Sequence, residues 1–127
     1  KYAAVGVPYR DRGRRLDETI EAMRVLWREE WATYHGKHVH FDNVHMDAKP
    51  FRAEGVPILI GGSTEVAARR AGRLGDGWYP YVISPEDYGR GVETIHATAQ
   101  EAGRDPGRIE LSVWPASFDF TKTFDLD

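Results

Sequence analysis

An apolar run that ends in two glycines and passes straight into a helical pattern leaves few folds open to a chain. Val56-Pro57-Ile58-Leu59-Ile60 is apolar at every position and stops at Gly61-Gly62; from Ser63 onward Val66, Ala67, Arg70, Ala71 and Leu74 fall at helical spacing up to Gly75. A strand without polar alternation suits burial on both faces, as in a parallel sheet, and Gly75 is a natural helix stop. Strand, glycine turn and helix make one βα unit. The unit then repeats. Asp76-Gly77-Trp78-Tyr79-Pro80-Tyr81 supplies a short aromatic strand, and Ser84-Pro85-Glu86-Asp87 combines a capping serine, a proline suited to the first helical position and two carboxylates at the positive end of the dipole. That helix continues through Tyr88, Val92, Ile95, Ala99 and Ala102 to Gly103, and residues 109–114 alternate apolar and polar up to Pro115, predicting one more strand.

Ahead of these units, Leu16, Ile20, Met23 and Trp27 recur at spacings of four, three and four, which predicts an amphipathic helix within residues 14–31. His38-Val39-His40-Phe41 and Val44-His45-Met46 read as two short strands joined at Asp42-Asn43, a small hairpin near residues 37–47. Residues 49–55 are the linker-like stretch, and residues 118–127 read as a frayed or truncated end. The order helix, hairpin, strand, helix, strand, helix, strand gives an α/β fold class with parallel neighbours. Three sheet strands bury little core by themselves, and the chain opens at Lys1 rather than at a methionine. The expectation is a piece of something larger.

Composition removes several classes of function. A mean hydropathy of -0.55 argues against a membrane-embedded chain, and a net charge of -3 offers nothing global to nucleic acid or an anionic membrane. With no cysteine, a disulfide framework, a thiolate metal site and a cysteine nucleophile are impossible. A reducing cytoplasm is the expected compartment.

The stretch Gly61-Gly62-Ser63-Thr64 carries the most chemical information. A strand running through glycines into a helix aims backbone N–H groups beyond its end, where they suit a phosphate, and the two hydroxyls can donate to its oxygens. A plain tight turn with a capping serine accounts for the same residues. The Walker lysine and the three-glycine dinucleotide spacing are both missing. His35, His38, His40 and His45 form a cluster, but histidines on an exposed hairpin need no metal, and none is assigned. The runs Arg10, Arg12, Arg14, Arg15 and Arg69, Arg70, Arg73 read as solvated faces with ion pairs to Glu18 or Glu65. Trp78, Tyr79 and Tyr81 either fill a core or face a planar cofactor. No catalytic residue emerges.

In order and spacing, Gly6-Val7-Pro8, the Arg12-Gly13-Arg14-Arg15-Leu16-Asp17-Glu18 run, Leu26-Trp27, Gly36 with Phe41, Pro57-Ile58-Leu59-Ile60-Gly61-Gly62-Ser63, Gly75-Asp76-Gly77-Trp78 and Ala102-Gly103-Arg104-Asp105-Pro106 resemble the luciferase-like monooxygenase superfamily of flavin- and deazaflavin-dependent oxidoreductases. The resemblance implies part of a (β/α)8 TIM barrel spanning residues 1–127, incomplete because its N-terminal strands are absent, with the hairpin as an insertion. It implies that Gly61, Gly62, Ser63 and Thr64 hold the cofactor phosphate at the C-terminal face of the barrel. The Gly-Asp-Gly-Trp and Ala-Gly-Arg-Asp-Pro pieces are most similar to members that use deazaflavin F420; FMN is the alternative cofactor. The implied activity is hydride transfer through F420, or oxygenation through reduced FMN, on a small-molecule substrate, with a homodimer as the assembly to test. The competing expectation is a truncated, non-catalytic barrel fragment that serves as a binding or assembly module.

Overall fold

The computed structural model describes residues 2–115, so the expected end at residues 118–127 lies outside the described residues. Two compact units divide the chain, Lys1–Val56 and Pro57–Asp127.

In the first unit, short 3-10 turns at Tyr2–Val5 and Tyr9–Asp11 lead into helix α1, Arg12–Arg28. Its expected stripe is buried at Ile20 but open at Leu16, and Ala22 joins the core. Lys49 Nζ donates to the carbonyls of Leu26, at 2.7 Å, and Glu29, at 2.5 Å, placing a cation at the negative end of the α1 dipole. The linker-like loop thus ends the helix. The loop also closes on Trp27. Gly55 has φ 97°, and a Cβ there would stand 2.6 Å from the indole.

Strands β1, Trp31–His35, and β2, His40–His45, form the antiparallel hairpin, but its turn differs from the expected one. The chain reverses at residues 36–39, where Gly36 N–H donates to the Val39 carbonyl at 2.8 Å. Asp42-Asn43 lies inside β2. Asn43 adopts φ 51°, the register shifts between Ala32 and Tyr34, and Asn43 N–H donates to Thr33 Oγ1. Asparagine tolerates left-handed backbone, so the same residue type that marks turns here marks a bulge. The turn itself is held by Glu18 of α1, whose Oε2 accepts from the N–H groups of His38 at 2.6 Å and Val39 at 3.0 Å.

The second unit is built on a three-stranded parallel sheet, in the order β3 (Leu59–Gly61), β4 (Gly77–Tyr79), β6 (Glu110–Leu111). A second parallel pair joins β5 (Tyr81–Ile83) to β7 (Trp114–Pro115). The single strand expected over residues 109–114 is therefore two short ones in different sheets. Helices α2 (Glu65–Leu74) and α3 (Pro85–Glu101) lie between consecutive strands, as the repeating βα pattern requires. Ile60, Ala68, Ala71, Trp78, Ile95 and Ala99 form the core. Leu59 is 45% exposed, so β3 is covered on one face rather than two, because the helices among the described residues bury the Ile60 and Trp78 side alone.

The two helices approach closely at Gly72, where a Cβ would meet Thr98 Oγ1 and stand 2.6 Å from the Ile95 carbonyl oxygen. The C-terminal end of α2 is held by Arg104, whose guanidinium donates to the carbonyls of Gly72 at 2.7 Å and Gly75 at 2.6 Å and pairs with Asp76. Asp76 in turn accepts from Ile58 N–H at 2.9 Å.

Two outcomes follow for stability. Gly72→Ala lowers unfolding free energy by about 1–3 kcal/mol, read from the chemical-denaturation midpoint, because the added methyl has nowhere to go. Glu18 is held below its ordinary value of 4.5 first by the His38 amide, with the Val39 amide and the His38 charge adding to this against desolvation. A lowered folded-state value gives stability that is present above the unfolded value and is lost as pH falls through the folded one. Acidification below about 4.5 therefore releases the 36–39 turn, seen as collapse of the His38 and Val39 amide shifts, and Glu18→Gln removes that transition.

Candidate functional site

The turn between β3 and α2 takes its shape from Gly62 and from an indole. Gly62 has φ 114°, and a Cβ there would stand 3.2 Å from the Ala67 Cβ. Its carbonyl accepts from Trp78 Nε1 at 2.9 Å. Trp78 is buried and stacks on Tyr88 of α3 with centroids 5.3 Å apart and planes 20° apart. Gly91 makes that possible, since a Cβ there would overlap the indole. Trp78 thus takes the core role and Tyr79 the other face of the strand; the sequence left both roles open for both residues.

The two hydroxyls of the turn have different capacities. Ser63 Oγ donates to the Tyr81 carbonyl, which engages its one proton and leaves it only as an acceptor. Thr64, not Ser63, caps α2: its Oγ1 accepts from Ala67 N–H at 3.3 Å and keeps its own proton to give. The N–H groups of Thr64, Glu65 and Val66 have no acceptor among the described residues, as expected for the first turn of a helix. Next to Tyr81, Val82 adopts φ 49°, a conformation that β-branched side chains rarely take, at the irregular step of β5.

Beside this turn lies a cleft of about 210 Å³, walled by Ser63, Thr64 and Glu65 on one side and by Asp87, Arg90 and Thr94 of α3 on the other. Arg90 is the cation among the described lining residues and pairs with Asp87. The sequence pointed to other arginines. Arg69 instead makes a two-point contact with Glu65, at 2.9 and 2.7 Å, as the solvated-face reading expects, and Arg12 lies over the Tyr9 ring. Glu18, the other expected ion-pair partner, is engaged by the hairpin amides. A signal for Arg90 was available: it precedes Gly91, less than two helical turns beyond the capped start at Ser84.

The four expected phosphate residues are contiguous at the C-terminal end of β3, but only Ser63 and Thr64 of the four line the cleft, with Glu65 and the Arg90 cation; Gly61 and Gly62 do not. The histidines are dispersed along the hairpin: His35 pairs with Asp42, and His45 bonds the Glu30 carbonyl and Asp47. Among the described residues, no three metal-capable side chains come together, and no helix is long and apolar enough to cross a membrane. Thr64→Val costs about 1 kcal/mol of stability through the lost cap, whereas Thr64→Ser keeps it, measurable as a difference in denaturation midpoint.

The family model described as luciferase-like monooxygenase matches residues 1–118. An uncharacterised protein of Mycobacterium tuberculosis is 34% identical over 103 residues, which cover 81% of this chain and 35% of that protein. A phthiodiolone/phenolphthiodiolone dimycocerosates ketoreductase of the same organism is 30% identical over 106 residues, 81% of this chain and 27% of the ketoreductase. Among solved structures, an F420-dependent secondary alcohol dehydrogenase in complex with an F420-acetone adduct superposes with a TM-score of 0.78 at 24% identity, over 89% of this chain and 35% of the dehydrogenase. A monooxygenase from Streptomyces bottropensis gives 0.70 at 27% identity, over 87% and 35%. The chain spans about a quarter to a third of the length of these proteins, and its α/β fold matches part of the solved ones.

Proposed function

Because the chain belongs to the luciferase-like monooxygenase family, we propose that it is part of a flavin- or deazaflavin-dependent oxidoreductase in which Gly61, Gly62, Ser63 and Thr64 hold the phosphate of the cofactor. One observation carries this reading: Thr64 and Glu65, whose N–H groups have no acceptor among the described residues, line a cleft that Arg90 also lines. Helix-start N–H groups favour an anion through both hydrogen bonding and the dipole. Glu65 and Asp87 line the same cleft but are engaged by Arg69 and Arg90, so the helix-start donors are the groups that would favour an anion.

The residues then divide the work. Thr64 and the first N–H groups of α2 bind phosphate oxygens; Arg90 exchanges Asp87 for the ligand's charge; Ser63 anchors the turn to Tyr81 and orients its neighbour. Residues 1–127 are read as one partial barrel domain with the hairpin as an insertion, acting on a small-molecule substrate in the cytoplasm, within a homodimer. F420 is preferred to FMN, on the Gly-Asp-Gly-Trp and Ala-Gly-Arg-Asp-Pro pieces and the similarity to the alcohol dehydrogenase. When bound, F420 supplies or accepts a hydride, and reduced FMN activates oxygen; the protein's part is binding and orientation.

The test is a titration of the full-length protein with F420 and FMN, each beside its dephosphorylated form, followed by fluorescence. The phosphate-bearing forms bind about tenfold more tightly or better, as charge-assisted hydrogen bonds imply, with F420 ahead of FMN. Arg90→Gln narrows the gap between each pair. Equal affinity for the phosphorylated and dephosphorylated forms removes the phosphate assignment.

A further inference from the structure

Val82 holds φ 49° inside the short strand β5. Branching at Cβ crowds the backbone in the left-handed region, so a valine there is strained. Packing does not ask for the side chain, since Val82 is 55% exposed. A left-handed step at an irregular point of a strand is met without strain by glycine, the residue that bulges of this kind ordinarily carry. The step lies between Pro80 and Ile83, both buried, which fix the chain on either side of it.

The same φ sets where the Tyr81 carbonyl points, because ψ of Tyr81 and φ of Val82 are the rotations on either side of one rigid peptide. That carbonyl accepts the Ser63 proton. Strand β7 is served by the neighbouring Pro80 carbonyl, which accepts from Trp114 N–H at 3.3 Å. Turning the Tyr81–Val82 peptide over between its fixed ends carries Val82 to negative φ and swings the carbonyl away from Ser63, without breaking the bond at Pro80. One hydrogen bond to a carbonyl and one strained β-branched residue are of similar magnitude and opposite sign. The strained position therefore holds only while Ser63 has no better acceptor. Ser63 also lines the cleft beside Thr64, and a phosphate oxygen there is a stronger acceptor than a neutral carbonyl.

We propose that the Tyr81–Val82 peptide is a two-position latch on Ser63. Without ligand it takes the Ser63 proton and Val82 is strained. A phosphate oxygen in the cleft takes that proton instead, the peptide turns over and Val82 relaxes, so relief of strain adds to the affinity for a phosphate-bearing ligand. Val82 is thereby a positioning residue that acts through Ser63. The inference rests on the reading that this turn holds the phosphate of the cofactor.

The test compares Val82→Asn, which tolerates the left-handed region, with Val82→Ile, which keeps the strain, in the full-length protein. Without ligand, Val82→Asn raises the chemical-denaturation midpoint. In a Ser63→Ala background, where nothing holds the carbonyl, the same change gives no such rise. A rise of equal size in both backgrounds, or in neither, overturns the latch. Binding is then followed for FMN beside riboflavin and for F420 beside its dephosphorylated chromophore. Val82→Asn raises the Kd of the phosphate-bearing member by about fivefold, because the strain is no longer there to be relieved, and leaves the dephosphorylated member unchanged. Val82→Ile behaves as wild type. A loss shared by both members, or by neither, overturns the proposal. Failure of the phosphate reading looks different: wild-type protein then binds both members of a pair equally, while the stability coupling between Ser63 and Val82 still shows whether the latch exists.

Discussion

Burying an indole obliges its N–H to find an acceptor, and in this chain the obligation falls on the Gly62 carbonyl, 2.9 Å from Trp78 Nε1. That bond ties the turn after β3 to the strand beside it. It depends on Tyr88 stacking over the indole and on Gly91 leaving room for it, so α3 sets the position of a turn that precedes it by more than twenty residues. Remove the bond and the left-handed step at Gly62 loses its support. The helix-start N–H groups would then lose the fixed direction that makes them useful to a ligand.

The far end of α2 is fixed by a different device. Arg104 places a guanidinium against the carbonyls of Gly72 and Gly75, where the helix dipole is negative, and reaches Asp76, which also holds Ile58 N–H. Two sequence pieces, Gly75-Asp76-Gly77-Trp78 and Ala102-Gly103-Arg104-Asp105-Pro106, are thereby one structural joint. Asp105 completes it by capping the 3-10 turn Pro106–Arg108 through Gly107 N–H. Their part in the candidate site is indirect: one end of α2 is anchored by Trp78 and the other by Arg104, and the cleft lies at the first.

Legibility in the sequence followed the range of the interaction. The helices and the parallel order could be read because hydrophobic period and caps are local, and Ser84 caps α3 as expected, accepting from Asp87 N–H. The hairpin turn was misplaced because Asp42-Asn43 satisfies a turn and a bulge equally well, and the deciding contact comes from Glu18, about twenty residues earlier. The division between Ser63 and Thr64 could not be read either, since it depends on the Tyr81 carbonyl across the unit. Glycines were the least legible. Gly62, Gly72 and Gly91 are required for conformation, for helix contact and for an indole, three reasons that one letter does not separate.

The polar side chains most conspicuous in the sequence turn out to be engaged within the chain. Glu18 holds a hairpin, His35 and His45 pair with aspartates, Arg69 meets Glu65, and Arg104 closes a helix. Among the groups left without a partner in the described residues of the second unit are less conspicuous ones, the N–H groups that start α2 and the Thr64 proton, at the C-terminal end of β3. Parallel strands end with their helices starting just beyond them, so the donors that a βα unit cannot satisfy for itself collect on that side. The same topology that leaves them unsatisfied also points them the same way, which is the physical basis for proposing an anion there.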